Sequence, residues 1–513
     1  VREALVTLLV ALLACRRDGA DLRDAGRVSM ALRGVRPSAR ELAALQDGEV
    51  DLETLARRWV RDPLFSDTMR DLHAEQLRVR FDTQPHPPPL GPLAEWPTTD
   101  IAASLDEEPL RLVSTIIEEG RPYTEILTAS TTVADPIVAA AYGLARDPAG
   151  PTWQEVPWPD GRPAAGILAS TSLWQRHMSS DRNFQRDRAN VLLSMLLCTS
   201  LDALDGIRAP SLSPDAVRDD PNCAGCHDRL DPLASAFYGF RGYLSPVTIA
   251  ESYLLGCEPG SDCYPMAYWD PAERETRADD GMPDPEWRGE PVADLADLGA
   301  RVAADPQFAS CTAQRFSTWF SQQDSVDPEL VDARAERFVD SGYDARALAL
   351  DVVLSPEFLD GPPLLVRPEQ AARLIPDLTG HRWEGRTPDG VGSVAFATSD
   401  EHGLRSMMGG IDGWNSVRPS HAPGPVREYA WRWLASEAAS VAVSSGRVRP
   451  VSDRAAVEAN LEALHLRWLL EDRPDLAPDL ALFDEVMART GNPEHAWTVV
   501  LTALLLDDRV VTF

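Results

Sequence analysis

Leu55-Ala56-Arg57-Arg58-Trp59-Val60-Arg61-Asp62-Pro63-Leu64-Phe65 decides the fold class. Its apolar residues fall at helical spacing, and the run then breaks at Asp-Pro, a pair that stops one helix and starts the next. Asp62 caps the new helix. Pro63 takes the first helical position, where its missing N–H costs nothing, and Phe65 anchors the junction in the core. The phrase recurs as Leu298…Asp305-Pro306-Gln307-Phe308 and as Leu348…Ser355-Pro356-Glu357-Phe358, with a degenerate copy from Leu501 to Val511. Its period is irregular, which predicts helix-hairpin building blocks and not a regular solenoid.

Helical spacing of apolar residues extends outward from these phrases. It appears in Leu52, Leu55 and Trp59, in Val191, Met195 and Cys198, in Leu295, Leu298 and Val302, and in Val426, Tyr429, Trp433 and Val441. Clean alternation is scarce. The expectation is a mainly α, multi-domain protein with little β, at most a small strand or hairpin around 152–170 or 386–398. Two Pro-rich stretches, Gln84 to Pro97 and Asp147 to Pro163, punctuate it; Trp153 and Trp158 mark the second as a loop packed on the body. The serial division expected is a leader over 1–14, a linker over 15–30, helical domains over 31–83, 109–245, 291–361 and 362–513, a Pro-rich connection over 84–108 and a loop insertion over 246–290.

A chain of 513 residues with 44% hydrophobic content has enough apolar mass for several cores, which argues against disorder. A net charge of −31 repels phosphate backbones and anionic headgroups, so nucleic acid is excluded as a partner class and any steered partner is expected to be basic. Every basic side chain is Arg, a coding bias from which no function follows.

The uncharged run Ala4 to Ala14 is too short to span a bilayer and has the length of a signal-peptide core. It ends Leu12-Leu13-Ala14-Cys15, which resembles the lipobox of bacterial lipoproteins. Cys15 is therefore the expected lipidation site, and Arg16 in place of Asp points to the outer membrane. The alternatives are an ordinary secretory signal with an incidental Cys and a buried N-terminal helix. The leading Val reads as an alternative start codon or as a start lying further upstream.

Export makes disulfides available. Cys257 and Cys263 bracket the turn-forming Glu258-Pro259-Gly260-Ser261-Asp262 and are expected to pair locally, which leaves Cys198 to Cys311. The remaining pair carries chemistry: Cys223-Ala224-Gly225-Cys226-His227. Covalent haem c needs two thiols on one turn and a His directly after the second, so that its imidazole reaches the iron from the same face. Cys223, Cys226 and His227 supply these. A third disulfide, and a zinc site borrowing Cys257 and Cys263, are the alternatives. For the sixth iron ligand the first choice is Met282 in Gly281-Met282-Pro283, which resembles the Gly-x-Met-Pro context of axial methionines. His177 and Met178 are the runners-up. Each has a plainer reading, a solvent-facing Met and a His satisfied by backbone.

Pro109 to Tyr243 resembles envelope proteins of planctomycetes and myxobacteria built from serial domains of unknown function around a cytochrome c-like module. The residues that carry the resemblance are Tyr142-Gly143, Ala165-Gly166-Ile167-Leu168, Asn183, Arg186, Arg188-Ala189-Asn190, Leu197-Cys198, Asp220 to His227, Leu230-Asp231-Pro232, Phe237 and Phe240. The resemblance implies a periplasmic or surface protein with a haem c motif and brings no catalytic residues with it. The stretch Glu251 to Pro285 departs from the family pattern.

The sequence holds no phosphate loop, nucleophile elbow or His-Glu-x-x-His helix. The acidic runs Asp106-Glu107-Glu108 and Glu118-Glu119 read as solvated helix faces. His381, His402 and His421 are a candidate cluster. Trp431 and Trp433, two positions apart on a helix, face different ways, with at least one in the core. The leading expectation is a lipid-anchored electron-transfer protein with one six-coordinate haem and a basic or membrane redox partner. Behind it stand a five-coordinate haem enzyme acting on peroxide or oxygen, and a non-redox envelope scaffold.

Overall fold

The computed structural model describes residues 17–80, 86–177, 179, 183–200, 221–240, 269–386, 393–400, 403–413 and 416–513. Cys15, Met178, Cys257, Cys263 and His402 lie outside these residues, and so do the lipidation site and the local disulfide.

The architecture is mainly helical, and the Asp/Ser-Pro-x-Phe phrases are its junctions. Asp62 Oδ1 accepts from the Leu64 N–H at 3.0 Å at the head of helix Pro63–Leu77. Asp305 Oδ1 accepts from Gln307 N–H at 2.9 Å before Pro306–Ser321, and Ser355 Oγ from Phe358 N–H at 3.4 Å before Pro356–Leu359. Phe65, Phe308 and Phe358 are all buried, so each phrase combines a cap with a core anchor. Asp135 and Asp327 cap Pro136–Tyr142 and Pro328–Asp340 by the same chemistry.

Strand is confined, among the described residues, to three two-stranded antiparallel pairs. Thr131–Ala134 pairs with Gln154–Pro157, Glu286–Trp287 with Glu290–Pro291, and Glu384–Arg386 with Ser393–Ala395. The first and third overlap the two places where a hairpin was expected. No described helix is long and apolar enough to cross a membrane.

The chain divides into two compact units, and neither is continuous in sequence. One contains residues up to Thr68 with Thr318–Asp324 and Ala349–Phe513. Its core joins Met30 to Leu374, Trp431, Leu461, Trp497 and Leu501, so the N-terminal helix Arg17–Arg33 belongs to the same hydrophobic cluster as the C-terminal helices. Polar ties complete the seam. Gln370 Nε2 donates to Met30 O at 3.0 Å, which also accepts from Gly34 N–H, and Arg373 Nε donates to Arg33 O at 3.1 Å, a carbonyl at the helix end. Arg27 donates to Phe513 O at 3.1 Å and to Pro362 O at 2.8 Å. The serial division separates these segments, whereas burial brings them together.

The other unit comprises Met69–Ser317 and Ser325–Leu348. Leu93, Ile101, Leu105, Val138, Tyr142 and Val156 form one of its cores, and Tyr123 packs against Phe308, Phe316 and Phe338 at ring separations of 5.8 to 6.2 Å in another. Cys198 and Cys311 are joined in this unit as a disulfide, Sγ–Sγ 2.09 Å.

The run Asp106-Glu107-Glu108, read from the sequence as solvated, lies on the inner side of helix Thr98–Glu118. Asp106 bonds the His86 ring at 2.9 Å. Glu107 is ion-paired with Arg80, and with Arg70 and Arg111 at 3.3 Å each. Burial works to raise the Glu107 pKa, but Arg80, Arg70 and Arg111 outweigh it and hold the carboxyl below its usual range. Glu108 is fully buried and accepts from the Thr132 and Ser170 hydroxyls; burial raises its pKa despite them. Three carboxyls in a row can be buried because each finds its own partners. Glu118 and Glu119 are exposed.

Candidate functional site

The Cys-x-x-Cys-His segment forms the first turns of helix Pro221–Ser235. Helical periodicity sets Cys223, Cys226 and His227 at i, i+3 and i+4 on one face and places Asp231 one turn beyond His227. Leu230, Leu233, Ala234, Phe237 and Phe240 seat the helix and its continuation. Phe237 meets Trp174 at 5.1 Å and Phe240 meets Trp269 at 5.0 Å, both edge to face. Both thiols are half-buried, and neither is in a disulfide.

His227 is oriented by a carboxylate. Its Nδ1 lies 2.9 Å from Asp231 Oδ1, and Asp231 also receives the Arg186 fork: Nε to Oδ1 at 2.6 Å and Nη2 to Oδ2 at 2.7 Å. Burial works to raise the Asp231 pKa, but the Arg186 and His227 hydrogen bonds prevail and hold it below the carboxylate norm. An ionised carboxylate only accepts, so the ring proton sits on Nδ1 and the Nε2 lone pair is the one available. Among the described residues Nε2 makes no hydrogen bond.

Arg186 comes from a different part of the chain. It opens helix Arg186–Val191, where Asn183 Oδ1 accepts from Asp187 N–H at 2.8 Å. Its guanidinium lies 5.3 Å from the Phe184 ring centroid. Its Nη2 also approaches Met282 Sδ at 3.6 Å. Met282 is buried, held through its N–H to Arg277 O at 3.1 Å, so it is not the solvent-facing methionine of the plainer reading. Its polar contact is with the guanidinium that grips Asp231. The structure thus gathers His227, Asp231, Arg186 and Met282 into one network.

His177 is not available in the same way. Its Nε2 donates to Leu77 O at 2.9 Å in a buried setting, and burial pushes its pKa down to about 3. The backbone-satisfied reading of His177 is the one the structure contains. His381 lies 3.6 Å from Glu437, whereas Arg367 and Asp324 are the charged groups that act on His421, so these two histidines have separate surroundings. Trp431 is buried, with Nε1 donating to Leu505 O at 2.9 Å, while Trp433 on the neighbouring face is 42% exposed. No group of three or more His, Cys, Asp or Glu among the described residues is placed to hold a metal ion.

Sequence reasoning did not single out the Arg186–Asp231 pair as part of the site. Its available signal was the position of Asp231, four residues after His227. Other residues of the family pattern have structural jobs. Gly166 has φ +53°, and a Cβ there would lie 2.0 Å from Ile126 O; Tyr142 Oη meets Ser172 Oγ at 2.9 Å.

Two half-buried thiols one turn apart and an imidazole whose outer nitrogen makes no hydrogen bond among the described residues suit a group bound through two thioethers and one nitrogen ligand. Residues 20–144 match a family described as a protein of unknown function, DUF1592. The matched stretch begins ahead of Pro109 and ends before Cys223, so it covers the helix Thr98–Glu118 but not the thiols. No curated protein and no solved structure matches the chain.

Proposed function

We propose that this chain is an exported c-type cytochrome-like lipoprotein that carries one haem c and passes single electrons in the cell envelope. In this reading Cys223 and Cys226 would hold the group through two thioethers, each formed by addition of an S–H across a vinyl group with no oxidant required. His227 would hold the iron through Nε2, and Met282 would be the first choice for the remaining protein ligand. When bound, the group would supply one-electron redox chemistry between a reduced and an oxidised protein partner. The chain's own residues hold and orient: Asp231 keeps the proton on His227 Nδ1, Arg186 fixes Asp231, and the Trp174, Phe237, Phe240 and Trp269 rings seat the helix. Cys15 would carry the lipid anchor, Arg16 in place of Asp favours the periplasmic face of the outer membrane, and the net charge of −31 favours a basic partner.

The observation that carries the reading is the 2.9 Å bond from His227 Nδ1 to Asp231, since metal-binding histidines characteristically donate their other ring N–H to a carboxylate or carbonyl. The same carboxylate favours a second reading: a strengthened imidazole suits a five-coordinate enzyme acting on peroxide or oxygen, with Met282 dispensable. Expression with cytochrome c maturation machinery, followed by haem staining and absorption spectroscopy, separates these readings. A covalent haem with a low-spin spectrum and the long-wavelength band of Met ligation supports electron transfer through Met282. A high-spin spectrum moves the assignment to the enzyme. Absence of covalent haem leaves a non-redox envelope scaffold.

A further inference from the structure

We infer that Asp231 and Arg186 are a pair of positioning residues that set the donor strength of His227, pulling the reduction potential of the site in opposite directions. The inference rests on the haem reading above and concerns how that site is tuned.

The geometry supplies the argument. Asp231 Oδ1 is shared between two donors, His227 Nδ1 at 2.9 Å and Arg186 Nε at 2.6 Å, while Oδ2 takes Arg186 Nη2 at 2.7 Å. A carboxylate accepting from Nδ1–H draws the proton toward itself and leaves more electron density on the ring. Nε2 becomes a better donor, which favours the more positive, oxidised iron and lowers the potential. The Arg186 fork acts against this. It neutralises the carboxylate and competes for the very oxygen that faces the imidazole, so the donor strength of His227 is held at an intermediate level. Arg186 Nη2 also points a donor at Met282 Sδ, 3.6 Å away, which withdraws density from the thioether as well. The first effect holds whichever residue is the further iron ligand, and the second, where Met282 is that ligand, has the same sign.

A purely structural account also exists. Arg186 and Asp231 bridge helices Arg186–Val191 and Pro221–Ser235, and a bidentate pair is a good fastener. A fastener predicts that removing either partner loosens the same joint and affects the site in the same direction. Tuning predicts opposite signs.

The experiment is a spectroelectrochemical titration of the haem-loaded full chain and of Asp231→Asn and Arg186→Gln, each first checked by haem stain and thermal melt. Asp231→Asn is expected to raise the midpoint potential, shifting the reduction equilibrium about tenfold toward the reduced form, which is 59 mV for one electron. Arg186→Gln is expected to lower it. Arg186→Lys keeps the charge and loses the fork, and its potential is expected to fall between Arg186→Gln and the parent; it stands in for Arg186→Gln if that variant does not load haem. Shifts of the same sign, or shifts under twofold in the equilibrium, overturn the tuning pair while leaving the haem reading intact. A parent protein with no covalent haem overturns both.

Discussion

His177 and His227 lie in the same unit, and both were candidates for an iron ligand. The structure commits opposite nitrogens of the two rings. His177 spends Nε2 on Leu77 O and is buried, whereas His227 spends Nδ1 on Asp231 and, among the described residues, makes no hydrogen bond through Nε2. The lesson is that burial and hydrogen bonding do not by themselves mark a functional histidine. What matters is which nitrogen remains after the protein's own bonds are made.

The comparison breaks most readily at His227. His227→Ala in haem-loading conditions is expected to abolish the low-spin spectrum while costing the fold only about 1 kcal/mol, since the ring is partly exposed and Asp231 keeps Arg186. Survival of the spectrum would remove His227 as ligand. Glu107→Ala tests a buried ion-pair cluster of the same unit: it leaves Arg70, Arg80 and Arg111 without their shared carboxylate, and a loss of roughly 3–5 kcal/mol in denaturant unfolding is expected. His177→Ala should cost roughly 2–4 kcal/mol, from the cavity and the unsatisfied Leu77 carbonyl, with an unchanged haem spectrum. A changed spectrum would restore His177 to the site.

The last test is graded with pH. His73 and His177 have pKa values pushed down by burial to about 4 and about 3. A proton binds the unfolded chain first, so their contribution is complete above about pH 6.5 and drains as pH falls toward those values, by up to about 1.4 kcal/mol per pH unit for each group. His465 works the other way. Burial opposes its charge, but Asp479 at 2.8 Å and Glu471 at 3.1 Å raise its pKa, so its contribution is full below about pH 6.5 and is lost as pH rises through the folded value. Melting curves across pH 4–8 should show the acid-side loss flattened in a His177→Phe variant and the alkaline-side loss flattened in His465→Gln. Unchanged slopes would detach these histidines from the pH dependence.

Much of the helical framework was legible because its signals are local. Asp62-Pro63, Asp305-Pro306 and Ser355-Pro356 announce a cap, a first turn and an anchor within four residues, and all three appear as such. Trp431 and Trp433 likewise followed from helical geometry. The misreading of Asp106-Glu107-Glu108 has the opposite cause. A charge run looks solvated until its partners are known, and Arg70, Arg80, His86, Thr132 and Ser170 come from four other stretches of chain.

The sequence by itself determined the helical class, the capped junctions and the placing of two thiols and an imidazole on one helical turn, because each depends on residues within a few positions of one another. Only the tertiary structure decided that the N-terminal helix shares a core with the C-terminal ones, and that Arg186 reaches both Asp231, which orients the His227 ring, and Met282. Those outcomes depend on which distant surfaces bury each other, and hydrophobic burial is non-directional until the chain has closed around it.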